Sequence, residues 1–382
     1  MHLLLLQLAL AAPVDVLRDE SVARAISGDC PGAEPGLIRR TEAIPDDLGA
    51  RLVLDACRYG GTQRGMARSD LASLYNVSAP YDPGVLLKRR DSTAADVARL
   101  RREAQLALGT LVRAMVAAKE FEEAQEALAQ LEPQVGESGA TAALRLLIER
   151  SQNGAAPTWS LAAQTFGAYP DDPDVVEELA RLTFDDAGHA APEMLDAIFA
   201  RGRSTAKFNA LLGMLRNKDG AGCLARAARF SVPESERATL DAIRYRCAVA
   251  APDLRAADAL VGTSRTALDA RTQALHARLL ADNGRYDEAL ALLEPKLDAE
   301  PLAVEVALEV YAKQGRGDKV EALAADQPAG STARLSAATA LASAKQYAPA
   351  LLLVEGTCAA YSGKNAALCT KLVDVSHRGL GR

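Results

Sequence analysis

The residues that most often perform catalysis or bind metals are few in this chain. Apart from His2, the histidines are His189, His276 and His377, and none has a second ligand at a spacing typical of a metal site. His276 is interpreted as a packed side chain. The motifs of phosphate-binding loops, dinucleotide-binding folds, zinc proteases and serine hydrolases do not occur. We therefore expect no catalytic residue, no metal and no cofactor.

Paired carboxylates could serve as general acid and base, but their positions favour a structural role. Asp171-Asp172 and Asp185-Asp186 lie next to predicted helix starts, where carboxylates cap backbone N–H groups and complement the helix dipole. An enzyme of the cell envelope remains the alternative, with an active site within residues 13–92. The candidate polar residues there are Arg39, Arg40, Asp46, Asp47, Cys57 and Tyr59.

Six cysteines form three pairs of neighbours along the chain. Sequence alone allows many connectivities, but adjacent pairing would tie each pair across neighbouring helices. No CxxC spacing occurs, which disfavours zinc. Buried thiols in a reducing compartment are the alternative; we favour three disulfides and an oxidising compartment. The expected pairs are Cys30 with Cys57, Cys223 with Cys247, and Cys358 with Cys369.

The elements that would position these residues differ between the start of the chain and the rest. Proline and glycine punctuate residues 13–92, as at Cys30-Pro31-Gly32 and Pro83-Gly84, which predicts an irregular cap containing only short helices. From Thr93 onwards, apolar residues recur with helical spacing. Alanine is the most abundant residue and aromatic residues make up only 4% of the chain, which favours closely packed thin helices over a β-sheet.

A repeat is clearest between Thr272 and Pro301. Ala277 and Leu280 fall on a first predicted helix that ends at Gly284, while a second helix carries Tyr286, Ala289 and Leu293. Weaker copies occupy residues 301–328 and 331–360, and an earlier one surrounds residues 108–133. Residues 190–265 keep a helical pattern that cannot be aligned with the others.

This pattern resembles the tetratricopeptide repeat. The resemblance implies an all-α fold, an α-solenoid of antiparallel helix hairpins wound as a right-handed superhelix behind the irregular N-terminal cap. It also implies that protein partners or peptide segments bind along a concave face formed by the first helices of the hairpins. The inward positions that this register assigns to binding are Arg113, Arg271, Arg278, Asp282, Glu309 and Lys313; the alternative is that they only solvate the groove.

The first residues are typical of an export signal. An apolar run from Leu3 to Ala12 is too short to span a bilayer, and Ala9-Leu10-Ala11 fits the small-residue pattern at a cleavage site, which predicts cleavage after about Ala11. An amphiphilic first helix of the fold is the alternative. No later stretch is long and apolar enough to predict a transmembrane span.

The overall charge of the chain does not indicate a particular class of partner. Forty-four basic against 50 acidic residues give a net charge of -6, which provides no electrostatic reason to expect nucleic acid as a partner.

The expected domain organisation has four parts: a signal peptide (1–11), a cap (12–92), degenerate helical repeats (93–265), and clear repeats with a C-terminal helix (266–382). The expected function is a non-enzymatic, secreted or periplasmic scaffold that docks proteins into a bacterial envelope assembly.

Overall fold

The structure, a computed structural model, describes residues 19–77, 81–87, 93–264, 269–298 and 300–381. The predicted export signal lies outside the described residues. Within the described residues the chain is all-α, with no β-strand. It divides into two compact units, unit 1 ending at Ala210 and unit 2 beginning at Leu211.

Unit 1 is built from helices that pack mainly against their neighbours in sequence. Its helices are α1 (Ser21–Ile26), α2 (Cys30–Ala43), α3 (Leu48–Gly60), α4 (Arg64–Tyr75), α5 (Pro83–Leu87), α6 (Ala94–Ala117), α7 (Phe121–Val135), α8 (Gly139–Asn153), α9 (Ala155–Ala168), α10 (Pro173–Asp185) and α11 (Pro192–Arg201). α12 (Ser204–Arg216) contains the boundary between the units. α6 packs against both α7 and α8, and α8 packs against both α9 and α10. From α6 onwards this is the nearest-neighbour pattern of a helical repeat, while α3 packs extensively against α6.

Unit 2 continues with shorter and more regular hairpins. Its helices are α13 (Gly220–Ala227), α14 (Glu234–Ala250), α15 (Leu254–Ser264), α16 (Ala270–Asp282), α17 (Tyr286–Leu293), α18 (Pro301–Lys313), α19 (Gly317–Ala325), α20 (Thr332–Ser343), α21 (Tyr347–Val354) and α22 (Gly363–Gly379). The first helices α16, α18, α20 and α22 pack against one another in series, and each of α17, α19 and α21 packs against the first helix of its own hairpin. The predicted fold of tetratricopeptide-like helix hairpins is confirmed.

The N-terminal region is more helical than its proline and glycine content predicts. α2 is 14 residues long, although it contains Pro31 and Pro35, and α3 and α4 have 13 and 12 residues. Pro31 is tolerated because it lies in the first turn, where its missing N–H has no helical acceptor. Pro35 is also early enough that only a carbonyl of the first turn loses its donor. The expectation that only short helices fit here is wrong.

One turn closes several of the hairpins. After the first helix a residue adopts positive φ, and the next residue donates its N–H back to a carbonyl in the last helical turn, as from Arg285 to Leu280 at 2.9 Å. The same bond runs from Arg316 to Tyr311 at 2.9 Å and from Gln346 to Leu341 at 2.8 Å. These are Schellman-type helix ends. They place the hairpin turn where the repeat pattern predicts it, at Gly284.

The same turn recurs in two of the weaker repeats, at Lys119 and Lys345, and identifies a hairpin at Lys218 that the residue pattern misses. Lys119, Lys218 and Lys345 have φ of 65°, 62° and 62°, values close to the 76° of Gly284. Asp219 donates its N–H to the Met214 carbonyl at 2.9 Å. The repeat therefore extends through the region 190–265 that cannot be aligned by sequence, because the backbone turn is kept while its residue types change.

Alanine forms the contacts between packed helices. Ala277, Ala289, Ala338 and Ala350 are all fully buried within one apolar cluster of unit 2. A methyl group at such a position lets two helix backbones approach closely, which a larger side chain would prevent. The abundance of alanine thus has a packing role.

Three disulfides tie neighbouring segments together, and they are the pairs of neighbours along the chain. Their Cα–Cα distances are 5.4 Å or 5.5 Å, within the normal range. The first joins α2 to α3 and the second joins α13 to α14. The third joins the short 3-10 segment Cys358–Ala360 to α22. All six cysteines are used, and each bridge lies within a single unit.

Candidate binding groove

A groove in unit 2 lies along the inner faces of α18, α20 and α22. Its cavity volume is about 810 Å³, within the range typical of ligand sites. α18 contributes Glu305, Glu309 and Lys313, while α20 contributes a row of small polar side chains. Leu368 of α22 and the buried Leu335 of α20 provide apolar surface.

Helical periodicity explains which side chains reach the groove. Glu305, Glu309 and Lys313 are four residues apart and share one face of α18. The opposite side of the helix carries Ala307 and Tyr311, both buried in the core. Packing of this apolar side thus holds the charged side towards the groove.

Ion pairs between α16 and α18 neutralise part of this charge. Nη2 of Arg278 lies 3.1 Å from Oε1 of Glu305 and 3.4 Å from Oε1 of Glu309, so one guanidinium serves two carboxylates. Nζ of Lys313 lies 3.0 Å from Oδ1 of Asp282, at the exposed edge of the groove. Burial raises the pKa of Glu309 above its usual range, although the charge of Arg278 opposes this shift.

Hydroxyl groups line the α20 wall. Thr339 donates its hydroxyl to the Leu335 carbonyl at 2.7 Å, and Ser343 donates to the Thr339 carbonyl at 2.8 Å. Ser336 donates to Oε1 of Glu305 at 3.5 Å. Since these hydroxyl hydrogens are already used, the oxygens face a ligand chiefly as hydrogen-bond acceptors.

The structure brings together four of the six residues that the repeat register assigns to binding. Arg278, Asp282, Glu309 and Lys313 form one network across α16 and α18. Arg271 is exposed in the first turn of α16, outside this network. Arg113 is exposed on α6, in unit 1.

Sequence reasoning misses Glu305 and the hydroxyl row. Glu305 precedes Glu309 by four residues, so the same-face rule could have identified it. Ser336, Thr339 and Ser343 recur at helical spacing on α20, opposite the buried Ala337 and Leu341. This pattern carries no charge and resembles ordinary solvated helix surface.

A second cavity of about 820 Å³ lies between α15 and α17, with His276 among its lining residues. His276 is only 1% exposed and both ring nitrogens are engaged, Nδ1 with the Tyr245 hydroxyl at 2.9 Å and Nε2 with Oδ1 of Asp258 at 3.2 Å. Burial lowers its pKa, while Asp258 acts in the opposite direction. Arg285 pairs with both Asp258 and Glu288. These groups hold neighbouring helices together, in agreement with the interpretation of His276 as a packed residue.

The polar residues of the N-terminal region are also engaged in packing. Arg40 is fully buried and pairs with Asp47 and with Glu103 of α6, each at 2.7 Å. Tyr59 hydrogen-bonds Glu123 of α7, and Cys57 is in a disulfide. Four of the six candidate residues of the alternative active site, Arg40, Asp47, Cys57 and Tyr59, therefore serve contacts between helices, while Arg39 and Asp46 are exposed.

In the described parts of the chain, no cluster of three or more His, Cys, Asp or Glu side chains has a geometry that could hold a metal ion. Within the same parts, no helix is both long and apolar enough to cross a membrane.

Comparisons with known proteins were made at three levels. No protein-family model matches the chain, and no curated protein sequence matches it. Among solved structures, the crystal structure of the P58(IPK) TPR domain is similar at 14% identity and a TM-score of 0.30, covering 94% of this chain and 96% of that one. The crystal structure of the yeast Tom70 is similar at 12% identity and a TM-score of 0.33, covering 94% of this chain and 87% of that one.

Proposed function

We propose that this chain is a protein-interaction scaffold that binds a segment of a partner protein in the groove lined by α18, α20 and α22. The observation that supports this proposal most directly is the groove itself. It combines a volume of about 810 Å³ with charged, hydroxyl and apolar side chains on three successive first helices. A chain segment needs this mixture, because its backbone requires hydrogen-bond partners and its side chains require apolar surface.

The proposed site comprises the groove and the neighbouring residues of the first helices. Arg278, Asp282, Glu309 and Lys313 form its charged wall, Arg271 extends it along α16, and Arg113 is the corresponding candidate in unit 1. We propose proteins, and not nucleic acid, as partners, since the net charge of -6 would repel a polyanion.

The experiment is capture of partners with variants that fill the groove. Thr339→Trp places a large side chain among the lining residues, whereas Glu321→Trp adds the same side chain at an exposed position of α19. We expect Thr339→Trp to abolish capture from extracts of the native host and Glu321→Trp to leave it intact. Equal capture by both variants, with melting temperatures unchanged, would show that the groove is not the binding site.

We further propose that the protein works in an oxidising compartment outside the cytoplasm, as part of an envelope assembly. The three disulfides support this, because such bonds persist in exported proteins and are rare in reducing compartments. The apolar run at Leu3–Ala12 supports it from the sequence side. Fractionation of the native host tests the proposal, and recovery of the protein with the cytoplasmic fraction would contradict it.

A further inference from the structure

The charged wall of the groove has an excess of carboxylate. Three carboxylates, those of Asp282, Glu305 and Glu309, face only two cations, Arg278 and Lys313. Arg278 is shared between both glutamates, and Lys313 is engaged by Asp282 at the edge. The network therefore keeps one negative charge that no neighbouring side chain within it balances.

The glutamates also retain unused bonding capacity. Arg278 contacts only Oε1 of Glu305 and Oε1 of Glu309. Among the described residues, no donor contacts Oε2 of either side chain. Both glutamates line the cavity, with side-chain exposures of 25% and 26%. A carboxylate in this half-buried position interacts more strongly with a cation than a fully exposed one does, because water screens it less.

The opposite wall adds acceptors. The Thr339 and Ser343 hydroxyls donate their hydrogens to α20 carbonyls. Their oxygens, which line the cavity, can therefore only accept hydrogen bonds from a ligand. An ammonium or guanidinium group, which only donates hydrogen bonds, matches such a surface, whereas a carboxylate would meet mainly acceptors.

We propose that the groove binds a basic segment of a partner protein, with a Lys or Arg side chain placed between Glu305 and Glu309 of α18 and the hydroxyls of α20. This inference rests on the proposed function and specifies that the partner segment is basic. Leu335 and Leu368 provide the apolar surface against which the aliphatic stem of such a side chain packs. Arg278 then acts inside the protein, where it keeps the two glutamates close together, and does not contact the partner.

The test begins with selection of random twelve-residue peptides displayed on phage against the full chain. Selected peptides are then synthesised, and their affinity is measured by fluorescence anisotropy. We expect them to share a Lys or Arg. Glu305→Gln with Glu309→Gln should weaken binding about tenfold or more, the scale of a lost charged hydrogen bond. The matched control, Asp318→Asn with Glu321→Gln, removes two exposed carboxylates of α19 and should change affinity less than twofold.

A gain of affinity excludes simple loss of folding as the cause. Lys313→Gln removes a cation from the groove and leaves the Arg278 pairs intact, so it should strengthen binding of the basic peptides about two- to threefold. When the shared basic residue of the peptide is replaced by Gln, the double glutamate variant should no longer weaken binding and Lys313→Gln should no longer strengthen it. Circular dichroism and melting temperatures establish that each variant is folded.

The outcomes separate this inference from the proposed function. Acidic or neutral peptides that Thr339→Trp excludes would overturn the basic partner and keep the binding groove. Peptides that bind equally well to Thr339→Trp, or no selected peptide at all, would overturn both.

Discussion

At the scale of single residues, two of the ionisable side chains buried in unit 1 have different surroundings. Arg40 has carboxylate partners on two sides. Asp55 of α3 is fully buried and faces Asp70 of α4; Nη1 of Arg58 lies 3.6 Å from its Oδ1, and Arg51 is a second cation nearby. Burial, reinforced by the charge of Asp70, raises the pKa of Asp55 to about 8. Asp55 is therefore largely protonated at neutral pH.

The raised pKa of Asp55 predicts stability that falls with increasing pH. An unfolded Asp titrates near pH 4, so the folded state binds an extra proton between that value and about 8. The contribution is complete below the unfolded pKa and is lost as the pH rises through the folded pKa. Asp55→Asn should therefore unfold at higher urea concentration than the wild type at pH 9, and the difference should shrink towards pH 5. Asp46→Asn, an exposed control, should follow the wild type; an identical pH profile for Asp55→Asn would contradict the assignment.

Arg40 should be among the residues least tolerant of substitution. Its removal leaves the buried Asp47 and the partly buried Glu103 without their cation, and loss of one partner costs about 3–5 kcal/mol in comparable buried pairs. We expect Arg40→Ala to lower the free energy of unfolding by about this amount. Arg39→Ala, the exposed neighbour on α2, should change it by less than about 0.5 kcal/mol. Urea unfolding of both variants at pH 7 measures the difference, and similar effects would contradict the role of Arg40.

At the scale of elements, the repeat depends on a backbone turn that tolerates several residue types. Gly284 and Gly315 adopt positive φ without a steric penalty. Lys345 adopts the same conformation, but its Cβ makes that conformation sterically unfavourable. The turn at Lys345 is stabilised by the hydrogen bond from the Gln346 N–H to the Leu341 carbonyl, which closes the last turn of α20 just before α21 begins.

The strain at Lys345 predicts a stabilising substitution. Lys345→Gly removes the contact between Cβ and the backbone and should raise the free energy of unfolding by about 0.5–1 kcal/mol, after the greater chain entropy of glycine is subtracted. Lys319→Gly inside α19 is the control and should lower it by about 1 kcal/mol. Thermal and urea unfolding check both changes. A loss of stability in Lys345→Gly would show that the lysine side chain contributes contacts that outweigh the strain.

At the scale of the whole molecule, each disulfide lies within one unit and connects segments close in the chain. Cys223, Cys247 and Cys369 are fully buried, so the bridges are parts of the packed core as well as covalent ties. A bridge stabilises mainly by restricting the unfolded chain, by about 2–4 kcal/mol.

The three bridges predict the thiol content of the native protein. Protein purified without reductant should show no reactive thiol in denaturant and six after reduction. Cys30→Ala with Cys57→Ala should lower the free energy of unfolding by about 2–4 kcal/mol. Titration with a thiol reagent and peptide mapping without reduction test the pairing. Six thiols before reduction would contradict both the bridges and the proposed compartment.

Sequence alone determined the all-α class, the hairpin register near residues 272–301 and the favoured cysteine pairs. These follow from local properties: helical periodicity, a glycine at a helix end, and short separations along the chain. The hairpin turn at Lys218 escaped it, because the hydrogen bonds of the turn preserve a conformation that no residue type marks.

Only the tertiary structure decided the chemistry of the groove. The repeat register predicts that Arg278 and Glu309 lie on inward helix faces, but it does not predict which charged side chains form ion pairs between the two helices. The structure pairs Arg278 with two glutamates, so the wall that the sequence presents as a set of separate charges keeps an excess of carboxylate. Likewise, Arg40 and Asp55 appear as ordinary polar residues until packing removes their water. Periodicity specifies a face of one helix, while the neighbour across that face is specified by the packing of the whole unit.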